Sequence, residues 1–315
     1  MMARMPAMSH AREEQTAQLS RRAILRLGVG AAAGAAGAYA LGSARHTQGA
    51  SVTGPPVSMT SAGAPLAPPP PLEPPPAAVQ PTYVDGSFVS AARGGVATNW
   101  AIARPPGQTA SLRPVIALHG KGQDAAGVMA GGVEHGLAQA VAAGIPPFAV
   151  VAVDGGGSYW HKRASGEDSG AMVLNELIPM LGSQGLDTSR VGFLGWSMGG
   201  YGALLLGARL GPARTAAICA VSPALWTSPG AAAPGAFDDA DDYAANTVWS
   251  LPQLGQIPIR IDCGNSDPFY SATKQFIAQL PSPPSGGFSP GGHDGGFWSS
   301  QLSAEIAWMA PLLTA

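Results

Sequence analysis

Apolar and polar positions divide the chain into a leading portion without periodicity, up to about residue 82, and a remainder in which short apolar runs alternate with amphipathic stretches. Val84 to Val89 and Val96 to Ala103 read as two opening strands, followed by a turn at Pro105-Pro106-Gly107. Val115-Ile116-Ala117-Leu118 is a continuous apolar run, the pattern of a strand buried on both faces of a parallel sheet. Runs of the same type recur at Phe148 to Val153, Val191 to Leu194, Ala216 to Val221 and Ile257 to Ile261. Helical spacing fills the intervals at Val133 to Ala143, Ala171 to Leu181, Met198 to Leu210 and Pro268 to Leu280, and a last helix is expected from near Phe297-Trp298. Strands alternating with helices of this length predict βαβ units, hence an α/β fold with a mostly parallel central sheet and helices on both faces, over residues 83–315.

The leading portion has two parts. Ser20-Arg21-Arg22 precedes a mildly apolar, uncharged run from Leu27 to Leu41, and Gly42-Ser43-Ala44 supplies small residues for cleavage after Ala44. This is the pattern of a twin-arginine export signal over residues 1–44; left uncleaved, the run would serve as an anchor, although it is short for a spanning helix. Residues 45–82 carry Pro68-Pro69-Pro70-Pro71 and Pro74-Pro75-Pro76 and no apolar period, so too little surface can be buried to offset the entropy of ordering. A disordered spacer is expected there, placing the domain outside the cytoplasmic membrane, in the cell wall or beyond it, with association to wall or membrane surface through leader and linker.

Composition narrows the function. The net charge of -2 comes without a basic stripe, which excludes nucleic acid as a partner. Two cysteines, Cys219 and Cys263, have no metal-ligand spacing and read as buried thiols, with one disulfide between neighbouring strands as the alternative.

The candidate chemistry lies between Arg190 and Leu210, where Gly195-Trp196-Ser197-Met198-Gly199 has the pattern of a nucleophile elbow, a sharp strand-to-helix turn that holds a serine exposed. In a chain with 43 glycines the five-residue pattern is weak by itself, and it occurs again at Gly287-Phe288-Ser289-Pro290-Gly291. Context separates the two: no apolar strand precedes Ser289 and Pro290 stands where a helix would begin, whereas Ser197 follows the Val191 run and precedes a helix with Ala203, Leu204, Leu205, Leu206 and Leu210 on its buried face. A serine hydroxyl is a weak nucleophile and needs a histidine to take its proton and a carboxylate to orient that histidine. In this sheet type the order is serine, acid, histidine. Of the domain's histidines, His119, His135, His161 and His293, only His293 follows Ser197. Asp267, just after the Ile257 run, is the expected acid, with Asp262 as its rival; Asp238, Asp239, Asp241 and Asp242 read as a solvated face of a segment covering the site. The oxyanion would be held by the backbone amides of Met198 and Lys121, with Gly122 next, and His119 would fix the latter loop by hydrogen bonding.

These residues resemble the esterase D and mycolyltransferase family of α/β-hydrolases. The matching pieces are His119-Gly120 after a strand, Tyr159-Trp160-His161 after Asp154-Gly155, Ser197 among Gly195, Gly199 and Gly200, Asp267-Pro268-Phe269, and Gly292-His293 followed by Phe297-Trp298. The resemblance implies the α/β-hydrolase fold and acyl-ester chemistry through Ser197, Asp267 and His293, with no metal or organic cofactor and a small-molecule or lipid ester as substrate. Tyr159, Trp160 and His161 would line the cleft or, for the two aromatics, pack beneath it. Trehalose mycolyltransferases carry Asp-Gly-Leu-Arg where this chain has His119-Gly120-Lys121-Gly122, so the expectation is an exported serine esterase. Acyl transfer to a cell-wall sugar or lipid is the near alternative, and a non-catalytic wall-binding protein on the same fold the distant one.

Overall fold

The computed structural model describes residues 78–315. The stretch expected to be a twin-arginine leader, and the expected linker up to residue 77, lie outside the described residues. Two opening strands, β1 (Tyr83–Ser90) and β2 (Val96–Ala103), pair antiparallel. β3 (Pro114–Leu118) leads through α1 (Ala125–Ala130) and α2 (Val133–Ala142) to β4 (Ala149–Val153). A helical passage follows, made of α3 (Ser169–Ala171), a π-helical turn at Met172–Leu177 and α4 (Ile178–Leu181). Then come β5 (Val191–Trp196), α5 (Met198–Leu210), β6 (Thr215–Val221), α6 (Ala240–Asn246), β7 (Ile259–Gly264), α7 (Tyr270–Gln279), β8 (Ser285–Ser289) and α8 (Gly295–Thr314).

The strands form one sheet in the order β1-β2-β4-β3-β5-β6-β7-β8. Pairing is antiparallel for β1–β2 and β2–β4 and parallel from β4 to β8. Chain order reverses around β3, which leaves toward β4 on one side and has β5 on the other; such a switch point opens a crevice at the carboxyl ends of the strands.

The continuous apolar runs are explained by burial on both faces. On β3, Ile116 and Leu118 join a core with Phe193, Leu177 and the buried side of α5, while Val115 and Ala117 join a second core with Leu137 of α2 and Ile306 and Met309 of α8. The π-helical turn stands just ahead of Pro179, whose missing N–H and ring displace the regular hydrogen bond to the preceding turn. β8 was not foreseen: Ser285-Gly286-Gly287-Phe288-Ser289 has one large apolar residue, and as an edge strand it is covered on one side only. Ser289 is the last residue of this strand, which is not an apolar one, and no helix follows it directly. Cys219 and Cys263 are both free and buried.

One polar cluster interrupts the second core. Glu305, on α8 and 2% exposed, lies with Cys219 and Asp262, their ligand-type atoms all within 4.8 Å of one another. Asp262 is paired with Arg260 at 2.6 Å. Burial, and then the Asp262 charge, push the Glu305 carboxyl up to about 8, with Arg260 pulling the other way. The unfolded chain loses this proton near its ordinary value of 4.5, so the folded state carries one more proton between about 4.5 and about 8, and stability falls as pH rises through that window. Glu305→Gln cannot ionise; its melting temperature is expected to rise relative to wild type as pH is raised from 4.5 to 8. Parallel melting curves over that range provide the check, and a constant difference would contradict a raised carboxyl.

Candidate active site

Ser197 sits where β5 becomes α5, with φ 56 and ψ -120, a backbone region that costs of order 1–3 kcal/mol for a residue with a side chain. The turn holds because its neighbours lack side chains. A Cβ on Gly199 would lie 1.9 Å from the Leu118 carbonyl oxygen, and one on Gly195 would lie 2.3 Å from that of Gly199. Glycine at both positions lets the start of α5 press against the end of β3. The Ser197 amide donates to the Val221 carbonyl at 3.0 Å, and the Ser197 carbonyl accepts from Ala224 at 2.9 Å, so β6 and its following loop hold the turn from the other side.

The two expected partners arrive from the next strands. His293 Nε2 lies 2.9 Å from Ser197 Oγ, and His293 Nδ1 lies 2.8 Å from Asp267 Oδ2. Both contacts are hydrogen bonds when the serine hydroxyl donates to Nε2 and Nδ1–H donates to the carboxylate. The other Asp267 oxygen accepts from the Phe269 amide at 2.8 Å. Burial alone would raise the Asp267 carboxyl; the hydrogen bonds from His293 and the Phe269 amide, with the attraction of His293, outweigh it, and the group lies below its usual range. The acid and histidine loops are tied together, because Ser266 donates to the Gly291 carbonyl at 2.9 Å and Asn265 to that of Ser289 at 2.9 Å. Asp262, the rival acid, turns toward Arg260.

The loop after β3 is held as expected of His119, which is fully buried. Its Nε2 accepts from the Gly155 amide at 2.9 Å, so Nδ1 carries the proton and donates to the Gly120 carbonyl at 2.8 Å. Burial lowers its pKa, consistent with this neutral form. Gln123 adds a clamp that the sequence did not signal: its Oε1 accepts from the Gly120 amide at 3.2 Å and from Trp196 Nε1 at 2.6 Å, joining this loop to the residue before Ser197. Among the described residues, the Lys121 and Met198 amides donate to no acceptor. The Lys121 side chain passes over the Tyr159 ring, its Nζ 5.6 Å from the centroid.

Of the three residues after Ser158, Trp160 and His161 are fully buried and Tyr159 nearly so, which settles them as packing under the site. Trp160's ring fills space left by Gly155 and Gly202, where a Cβ would come within 2.4 Å of it. The acidic group is largely exposed, as expected: Asp238, Asp239 and Asp241 face solvent and Asp242 is half-buried, but most of it also makes specific contacts. Asp238 bonds Arg163 at 2.7 Å and the Ala164 amide, Asp239 caps α6, and Asp242 reaches buried His161 at 3.2 Å; Asp241 alone makes no such contact among the described residues. Arg163, the Ala164 amide and His161, on the loop after β4, tie these carboxylates to it. Phe269 lies 5.2 Å from the His293 ring and 5.5 Å from Trp226, forming an aromatic wall on one side of the serine.

The sequence model of the Putative esterase family matches residues 97–309. No curated protein matches the sequence. Among solved structures, a ferulic acid esterase is 19% identical with a TM-score of 0.60, covering 73% of this chain and 97% of its own. An S-formylglutathione hydrolase from Agrobacterium tumefaciens is 20% identical with a TM-score of 0.60, covering 73% and 95%. MPT51 (FbpC1) of Mycobacterium tuberculosis is 18% identical with a TM-score of 0.59, covering 74% and 100%. At these identities the likeness is one of fold, the α/β-hydrolase architecture.

The crowding at the turn makes a direct prediction. Gly199→Ala is expected to lower stability by about 3 kcal/mol, the upper range for overpacking a filled site, and to lower ester hydrolysis with it. Gly230→Ala, where an added Cβ meets nothing within 4 Å, is the control and is expected to change neither melting nor turnover.

Proposed function

Because the chain belongs to the Putative esterase family and is a carboxylic ester hydrolase, we propose that it cleaves acyl esters through a Ser197–His293–Asp267 triad and an acyl-enzyme intermediate. The observation that carries this reading is the unbroken hydrogen-bonded line from Ser197 Oγ through His293 to Asp267, at 2.9 and 2.8 Å, at the carboxyl ends of the strands.

In this reading Ser197 Oγ bonds to the ester carbonyl carbon while its proton passes to His293 Nε2. The carbonyl oxygen, now negative, accepts hydrogen bonds from the Met198 and Lys121 amides, which make no other hydrogen bond among the described residues and are supplied by loops pressed together at Gly199. Collapse breaks the bond to the alcohol, which takes the proton from His293 and leaves. Water then attacks the acyl-serine, giving its proton to His293, and the second collapse releases the carboxylic acid and restores Ser197. Asp267, fixed by the Phe269 amide and held ionised, orients His293 and balances its charge in both halves. No step calls on a metal or organic cofactor. Export belongs to the same proposal, supported by Arg21-Arg22, the uncharged run to Leu41 and the small residues ending at Ala44.

Ser197→Ala and His293→Ala are each expected to reduce kcat by about 10³–10⁶-fold, as in other serine hydrolases, and Ser289→Ala to change it little. A fluorophosphonate should label wild type and not Ser197→Ala; equal labelling of both would refute the assignment. Asp267→Asn should be impaired far more than Asp262→Asn in turnover of a soluble ester.

A further inference from the structure

Hydrolysis as derived above uses one side of the serine and leaves a cavity on the other side without a task. The cavity, of about 240 Å³, lies between α1, α8 and the sheet. Its lining includes Trp196, which adjoins Ser197 in the chain, and Trp298, whose ring stands edge-on to that of His293 at 5.3 Å. The two indoles stack on each other at 6.0 Å. Through these two indoles the wall of the cavity adjoins Ser197 and His293. Leu194 and Val221 line it from the sheet and Leu302 from α8.

Trp298, Leu302 and Glu305 are spaced i, i+4 and i+7, so they share one face of α8 and extend the lining over roughly 10 Å, two helical turns. The Glu305 end of this line lies against Cys219 and Asp262 in the core. Two polar atoms on it, Trp298 Nε1 and Glu305 Oε1, are buried and have no hydrogen-bond partner among the described residues. A buried polar atom without a partner costs about 1–3 kcal/mol, so Glu305 Oε1, at the far end of an otherwise apolar wall, calls for a ligand that is apolar through most of its length and polar at its tip. The tip must be neutral. Asp262 stands beside Glu305 and repels an anion, Arg260 already answers the Asp262 charge, and a protonated carboxyl both donates and accepts. A hydroxyl meets all three conditions.

We propose that this cavity is the subsite for one arm of the ester, an unbranched aliphatic chain of about two helical turns' length that bears a hydroxyl at its far end, received by Glu305. The proposal rests on the triad reading above and names the class of ester it serves, an ω-hydroxylated aliphatic one. The arm belongs either to the acyl group or to the alcohol, since Trp196 adjoins the nucleophile and Trp298 adjoins the base that protonates the leaving group.

The test uses the full chain and two ester series, methyl esters of acids of growing length and acetates of alcohols of growing length, each with and without a terminal hydroxyl. In one series kcat/KM is expected to rise roughly fourfold per methylene, as burial of each group predicts, until the chain reaches Glu305, where the hydroxylated ester should exceed the plain one about tenfold, the worth of one hydrogen bond. The series that responds identifies the arm. Leu302→Phe, which narrows the cavity, should collapse the long-to-short ratio, and Glu305→Leu should abolish the preference for the hydroxyl. Flat ratios in both series while acetate is hydrolysed overturn the subsite and leave the triad standing. Absence of hydrolysis of every ester, acetate included, overturns both. If either variant melts out, the length and hydroxyl dependence of the wild type decides alone.

Discussion

The approach of the start of α5 to the end of β3 is the constraint on which the site depends. It needs glycine at 195 and 199, since any side chain there would meet backbone at 1.9–2.3 Å. It sets the φ of 56 at Ser197, and it brings two loops with free amides side by side. The strain at one residue is small against what opposes its release: hydrogen bonds from β6, the loop beyond it and the first turn of α5 would all have to break for the serine to relax. Position and conformation of Ser197 are thus properties of three strands together.

The rest of the hydrogen-bonded line is delivered by pairing at the far side of the sheet. Asp267 follows β7 and His293 follows β8, and the contacts from Asn265 and Ser266 to Ser289 and Gly291 join the two loops. Gly264 permits this, because a Cβ there would come within 2.4 Å of the Gly291 carbonyl. Asp267 shows the balance of effects within the site. It is buried, which by itself favours the neutral acid, yet its hydrogen bonds win and it stays ionised, the state in which it can hold His293. Glu305, buried without such donors, goes the other way.

Much of this was legible in the chain. The five central strands announce themselves as apolar runs because both sheet faces are covered, and the order Ser197, Asp267, His293 follows from where strand ends fall in a parallel sheet. What escaped did so for physical reasons. β8 has one apolar side chain and is covered on one side, so burial left no periodic mark. α1 is six residues long, too short for a helical period to show. Gln123 acts through a side-chain oxygen that reaches across the fold, and nothing local distinguishes it from any loop glutamine. The carboxylates from Asp238 to Asp242 are largely solvated, as the sequence suggests; what it hides is that Asp238 and Asp242 pair with Arg163 and His161, some eighty positions away.

That the proposed base hangs from β8 has a kinetic meaning. Edge strands open more readily than the centre of a sheet, in local fluctuations that leave the rest of the molecule native. Detaching β8 would carry His293 away from a serine still held rigid by β3, β5 and β6. The molecule then has two endurance limits, one for its architecture and a lower one for its reactivity, and the second is set by five residues, two of them glycine, at the sheet's margin.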